Sequence, residues 1–167
     1  MQFYHTDAPV SRPLSSILAA HGAGFVKVRR PGHTYTDFRT GETKVAKGKE
    51  PLGAGWQRQP KTLAEAADWV KNMGGNVGLL GGHNNLILLD ADANADQVLA
   101  AEPRLRDTVR IFRQNAPDRA KWIVRIAGDL PPSKKKHGVL EVLAAGTQGV
   151  IVGRHASGAR IEHAGDH

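Results

Sequence analysis

The chain has 167 residues, enough for one domain, and 40% of them are hydrophobic, enough to fill a core. Its formal net charge of +7 points to a polyanionic partner, nucleic acid first, ahead of a merely solubilising surface. The absence of cysteine excludes disulfides and thiolate metal sites. No apolar run approaches the roughly 18 residues of a membrane span, and the N-terminus lacks a secretory signal, so a cytoplasmic protein with no membrane partner is expected.

Residues 1–13 read as a lead-in. Leu14 to His21 suits a short helix, with Ser11 as a cap and Gly22 at its end. Phe25 to Val28 reads as a strand. The polar, basic stretch 29–55 is long for a loop, and it is expected to hold a hairpin of Thr34–Phe38 against Thr43–Val45, turned at Thr40-Gly41. Thr62 and Glu65 form a capping box for a helix to about Lys71, ended by Gly74-Gly75. Asn76–Leu80 reads as a strand, Gly81–Asn84 as its turn, and Leu86–Asp90 as the returning arm of a hairpin. A helix follows from Asp96 to Ala101, then strands at Thr108–Phe112, Lys121–Ile126, Val139–Leu143, Gln148–Val152 and Arg160–Glu162. Pro131 to Lys136 reads as a basic loop. An αβ opening before a strand-rich half indicates an α+β fold with a mixed or antiparallel sheet. We expect a single domain over 1–167, with approximate halves 1–75 and 76–167.

Leu86-Ile87-Leu88-Leu89-Asp90-Ala91-Asp92 is the most informative stretch. A short apolar run suits a strand buried on both faces, and strand alternation points Asp90 and Asp92 the same way. Two carboxylates on one face at a strand's end are half of a site for a hard divalent cation. The stretch from Asp90 to Asp96 fails as an EF-hand loop: Ala95 stands where the turn glycine belongs and Ala101 where the bidentate glutamate belongs. The bland alternative is that Asp92–Asp96 caps the following helix, for which Asn94 is suited. Glu141, alone in an apolar strand, is the best third ligand; its bland alternative is a salt bridge to Lys121 or Arg125. Three carboxylates around two Mg²⁺ or Mn²⁺ ions would form the clamp of phosphoryl and nucleotidyl transfer.

Cations follow: Arg110, Arg113, Arg119, Lys121 and Arg125, interleaved with apolar residues. Lys121, Ile123 and Arg125 share one strand face, Trp122 and Val124 the other, so one face can be basic while the other packs a core. Such cations beside a metal site suit a triphosphate or a DNA backbone; an ordinary solvated face is the alternative. Among the 8 histidines none pairs at metal spacing, and His155, in a Gly/Ser-rich segment, is the one to watch.

Together these pieces resemble the primase–polymerase (prim-pol) family of the archaeo-eukaryotic primase superfamily, in its phage and plasmid forms. The resemblance runs from about Ile17 to Glu162. It rests on Lys49-Glu50-Pro51 with Gly55-Trp56, on the helix carrying Trp69, on Asn76-Val77-Gly78 with Gly81, on Asp90-Ala91-Asp92, on Leu140–Leu143, on Gly146-Thr147-Gln148-Gly149-Val150, and on His155-Ala156-Ser157-Gly158. It implies an archaeo-eukaryotic primase-like core: an N-terminal αβ unit packed on a unit like an RNA-recognition motif, with the active site between them. It also implies a two-metal site, Mg²⁺ or Mn²⁺, on Asp90, Asp92 and Glu141. Many members carry a Ser-x-His motif whose histidine contacts the incoming nucleotide; here Asn115–Lys121 stands in that place.

The reading is a DNA primase, a DNA polymerase, or both, serving replication of a mobile element. Asp90, Asp92 and Glu141 are the expected catalytic and metal-binding residues. Arg113, Arg119, Lys121, Gln148 and His155 are expected at the nucleotide; Lys47, Lys49, Arg58, Lys134, Lys135 and Lys136 are expected at DNA. The partners would be a single-stranded template or primer–template and nucleoside triphosphates, with a helicase or accessory priming domain outside this chain. The alternatives are a two-metal nuclease and a non-catalytic nucleic-acid-binding module.

Overall fold

The structure, a computed structural model, describes residues 13–133 and 135–165, with backbone alone at 135–137. The expected cap Ser11 and the expected DNA contact Lys134 lie outside the described residues. Helix α1 (Leu14–Ala20) starts at Pro13 with no side-chain cap and buries Leu14, Ile17 and Leu18, an i, i+3, i+4 stripe. Strand β1 (Phe25–Val28) follows, then a ribbon of β2 (Thr34–Thr36) and β3 (Thr43–Val45), paired from Thr34↔Val45 to Thr36↔Thr43 as expected. Helix α2 (Leu63–Met73) carries the capping box: Thr62 Oγ1 accepts from the Glu65 N–H, and Glu65 Oε2 accepts from the Thr62 N–H at 2.8 Å. It ends at Gly74 in the left-handed conformation.

The remaining elements are β4 (Asn76–Leu80), β5 (Leu86–Ala91), α3 (Ala95–Ala101), β6 (Val109–Arg113), β7 (Ala116–Arg125), β8 (Lys135–His137), β9 (Leu140–Leu143), β10 (Gln148–Arg154) and β11 (Arg160–Ala164). Nine strands form a curled sheet in the order β1-β4-β10-β11-β6-β7-β5-β9-β8, and every pair in it is antiparallel. β10 joins the two parts of the sheet. Its Gln148–Val152 part pairs with β4, a bulge follows Val150, and Gly153-Arg154 pair with β11. The fold is α+β, and the sheet is antiparallel rather than mixed.

Two cores flank β5. On one face Leu86 and Leu88 pack with Leu14, Ile17 and Leu18 of α1 and with Leu79, Ile123, Leu143 and Ile151. On the other, Ala91 joins Ala95, Val98, Ala120 and Trp122 under α3. The uninterrupted apolar run of β5 is thus explained by burial on both sides. No helix among the described residues is long and apolar enough to cross a membrane.

Several expectations are corrected. β4 and β5 do not form a hairpin: β4 lies between β1 and β10, and β5 between β7 and β9. The link between them carries positive φ at Gly82, Asn84 and Asn85 and redirects the chain instead of folding it back. The basic loop before Val139 contains an edge strand, β8, paired to β9. β7 begins at Ala116, five residues before the expected start at Lys121, so Ala116–Ala120 is strand as well. Asn94 precedes α3 with φ of 59° and makes no side-chain cap bond, so helix capping is not what its side chain does. The Lys121–Ile123–Arg125 face is not a basic surface, because Ile123 is buried in the inner core.

Leu88 is fully buried between strands and α1. Leu88→Ala should therefore cost about 3 kcal/mol, and Thr62→Ala about 1 kcal/mol. Urea unfolding checks both, with the midpoint falling and the slope unchanged.

Candidate active site

Antiparallel register decides which side chains of the acid-tipped strand meet their neighbours. Asp90 is the partner of Lys121 on β7 and of Glu141 on β9. Directly opposed residues share a face, so Lys121, Asp90 and Glu141 form a row across three strands. Lys121 Nζ lies 3.1 Å from Asp90 Oδ1, in a pair largely shielded from solvent. Asp92, two residues on, is much more exposed, and its Oδ1 lies 4.0 Å from Arg119 Nη1. The salt bridge weighed for Glu141 is not formed: Lys121 is paired with Asp90, and Arg125 donates to the carbonyls of Asn84 and His21 beside α1.

The row opens into a cleft of about 230 Å³. Asp90, Asp92 and Glu141 line it, as do Arg113, Arg119 and Lys121 from β6 and β7, and Gln148 and His155 from β10 and the turn after it. Every residue expected at catalysis or at the nucleotide therefore reaches one cavity. The residues expected at DNA divide. Lys49 lines the cleft; Arg58 lines a separate shallow hollow with Gly55, Gln57 and Gly146. Lys47 is exposed on the same segment as Lys49. Lys136 stands at the register position opposite Glu141 and Lys135 opposite Val142, on the edge strand β8. Arg110 is outside the cleft lining: it donates to the Pro117 carbonyl and lies against Phe112. One lining cation was missed from sequence, Arg154. Its signal was its place between Gly153 and His155, at the end of an alternating strand.

Arg119 reaches the cleft because of an irregularity. Phe112 pairs with Ala120 and Arg113 with Ala116, so residues 117–119 are extra on β7. A bulge tolerates Pro117, which has no N–H to give, and it re-aims the neighbouring side chain.

Divalent ions are the group the expected chemistry requires. Three carboxylates are hard oxygen donors of the kind Mg²⁺ and Mn²⁺ take. Among the described residues, however, no three His, Cys, Asp or Glu side chains converge closely enough to hold an ion. Lys121 and Arg119 instead lie against Asp90 and Asp92. The donors fit a hard cation in kind, and such an ion competes with Lys121 for Asp90.

His155 is set as a neutral donor. Its Nδ1 accepts from the Ser157 N–H at 3.1 Å, which leaves the proton on Nε2. Partial burial lowers its pKa below 6.5, and the charges of Arg113, Lys49, Arg119 and Lys121 lower it further. The folded protein thus takes up this proton less readily than the unfolded chain does, and the associated stability is lost as pH falls below the ordinary imidazole value. In an NMR titration His155 should titrate below that value, Arg113→Ala should raise it, and added inorganic triphosphate should raise it too.

No curated protein matches the chain. The family described as Prim-Pol, bifunctional DNA primase/polymerase, N-terminal, matches residues 16–166, nearly the whole chain. That family carries primase/polymerase activity of the nucleotidyltransferase type. The acid-tipped strand, the cation-rich cleft and the span of this match lead to one conclusion: the chain belongs to the Prim-Pol family.

Proposed function

We propose that the chain is a metal-dependent, template-directed nucleotidyltransferase that makes or extends DNA primers. The observation that carries this reading is the row Lys121–Asp90–Glu141, with Asp92 beside it, in a cleft otherwise lined by cations. The acids offer a seat for hard divalent ions, and the cations offer one for a triphosphate. Strand order supports the expected second unit. β6-β7-β5-β9, with α3 after β5, is the antiparallel order of an RNA-recognition-motif-like sheet. Ile126 and Leu130 pack on the outer face where such a motif carries its second helix.

The residues divide the work by charge. Arg113, Arg119 and Lys121 neutralise the triphosphate of the incoming nucleotide, and His155 donates a hydrogen bond from Nε2 to it. Lys121 and Arg119 thereby exchange a carboxylate for a phosphate oxygen, which frees Asp90 and Asp92. Those acids and Glu141 would hold Mg²⁺ or Mn²⁺, which when bound makes the attacking 3′-hydroxyl more acidic and offsets charge on the departing pyrophosphate. Lys49, and the lysines of β8 beyond Glu141, are suited to the DNA backbone, a contact that weakens with salt. The setting inferred with this activity is the cytoplasmic replication of a phage, plasmid or other mobile element.

The test is incubation with a labelled primer–template, and with template alone, plus all nucleotides and Mn²⁺ or Mg²⁺. Extension or de novo products are expected, reduced about 100-fold or more in Asp90→Ala. Shortened substrate in place of extension would replace this reading with a nuclease; DNA binding with no product under either metal would leave a binding module. Lys121→Met should bind Mn²⁺ more tightly than the parent in the absence of nucleotide, as read by the free-ion electron paramagnetic resonance signal.

A further inference from the structure

Asn76, the first residue of β4, is 1% exposed, and its carboxamide is fully engaged. Nδ2 donates to the Arg154 carbonyl at 2.7 Å and to the Gly48 carbonyl at 3.0 Å, while Oδ1 accepts from the Arg154 N–H at 2.9 Å. One side chain thus satisfies both backbone groups of Arg154 and reaches across to another segment. The next carbonyl of that segment, Lys49 O, accepts from Gln148 Nε2 at 2.9 Å. Two carboxamides from adjacent strands therefore hold consecutive carbonyls of the Gly48-Lys49 strap.

Close approach makes the arrangement possible. A Cβ at Gly153 would collide with Asn76 Oδ1, and one at Gly78 would collide with Gln148 Oε1. The glycines leave space that the carboxamides fill. Gln148 was expected to touch the nucleotide; its only donor contact among the described residues is the Lys49 carbonyl. What the two carboxamides join are Lys49 on one side and Arg154 and His155 on the other, all three lining the cleft.

We propose that Asn76 is a positioning residue which, with Gln148, fixes Lys49 and the Arg154–His155 turn as a single phosphate-binding unit of the cleft. This rests on the nucleotidyl-transfer reading for the identity of the substrate, though not for the coupling itself. A carboxamide is the side chain required. Aspartate has no donor for the two carbonyls, and an aliphatic residue leaves Gly48 O and both Arg154 groups without that partner.

The experiment compares Asn76→Ala, Gln148→Ala and Lys49→Ala by melting temperature, by affinity for inorganic triphosphate, by the nucleotide KM and kcat, and by the NMR titration of His155. In Asn76→Ala, triphosphate affinity should fall about tenfold and KM rise about as much, with kcat nearly unchanged. The His155 titration should move up as Lys49 loses its place. Gln148→Ala, which removes one of the ties, should do the same to a smaller degree. A lower melting temperature with unaltered triphosphate affinity and unaltered His155 titration would reduce Asn76 to a stability element and overturn the proposal. If Asn76→Ala does not fold, Gln148→Ala decides: parental values there overturn it. If the unaltered protein binds no triphosphate, the functional reading fails, while the His155 titration still reports whether the coupling exists.

Discussion

Asp90 is a carboxylate at the end of a strand that is buried on both faces, and the cleft is arranged around that difficulty. A buried ionised acid is costly unless something answers its charge. Register supplies Lys121 on one side at 3.1 Å and a second carboxylate, Glu141, on the other. One cation at the end of a row with two adjacent acids, with Asp92 adding a third negative group, leaves the row short of positive charge. Such a cluster favours incoming cations, and Arg119 and Lys121 are free to turn to phosphate once the acids are otherwise neutralised. The charge pattern thus links the two ligands of the expected reaction: each makes room for the other.

Much of this was visible in the residues because strand alternation is strict. Once Leu86–Leu89 is read as a buried strand, Asp90 and Asp92 must share a side, and Ala91 must face the core under α3. The capping box at Thr62 was equally readable, since its determinants lie within one turn. Partner choice was not readable. The glycines after Leu80 looked like a hairpin turn, but β4 and β5 each found both neighbours far away in sequence. Local turn chemistry cannot say which distant edge a strand will take. Ala116–Ala120 was hidden for another reason: Pro117 and the charges around it argue against a strand unless a bulge absorbs them. The work of Asn76 was hidden as well, since both ends of its reach, Gly48 and Arg154, are remote in sequence.

The family match and the geometry inform different levels of description. The match covers residues 16–166 and speaks to the kind of reaction. The geometry speaks to how this chain is equipped for it: a neutral imidazole among guanidinium and ammonium groups, a bulge that turns Arg119 inward, and a lysine strap tied down by amides. Between the acids of β5 and β9 in sequence, this chain has a bulged strand bearing Arg119 and Lys121. Positive charge there is supplied by a guanidinium and an ammonium group, which offer hydrogen-bond donors suited to phosphate oxygens.

The sheet order has a consequence for the protein during its synthesis. β5 leaves the ribosome well before β7 and β9, the strands that flank it, and β10 follows later still. Until then a nascent chain carries an apolar strand with two open edges and acids that have no partner. Such an edge invites pairing with other chains. The cleft, by contrast, cannot exist in any form before β10 has closed against β4, so a partly made protein has no site with which to engage DNA or nucleotide.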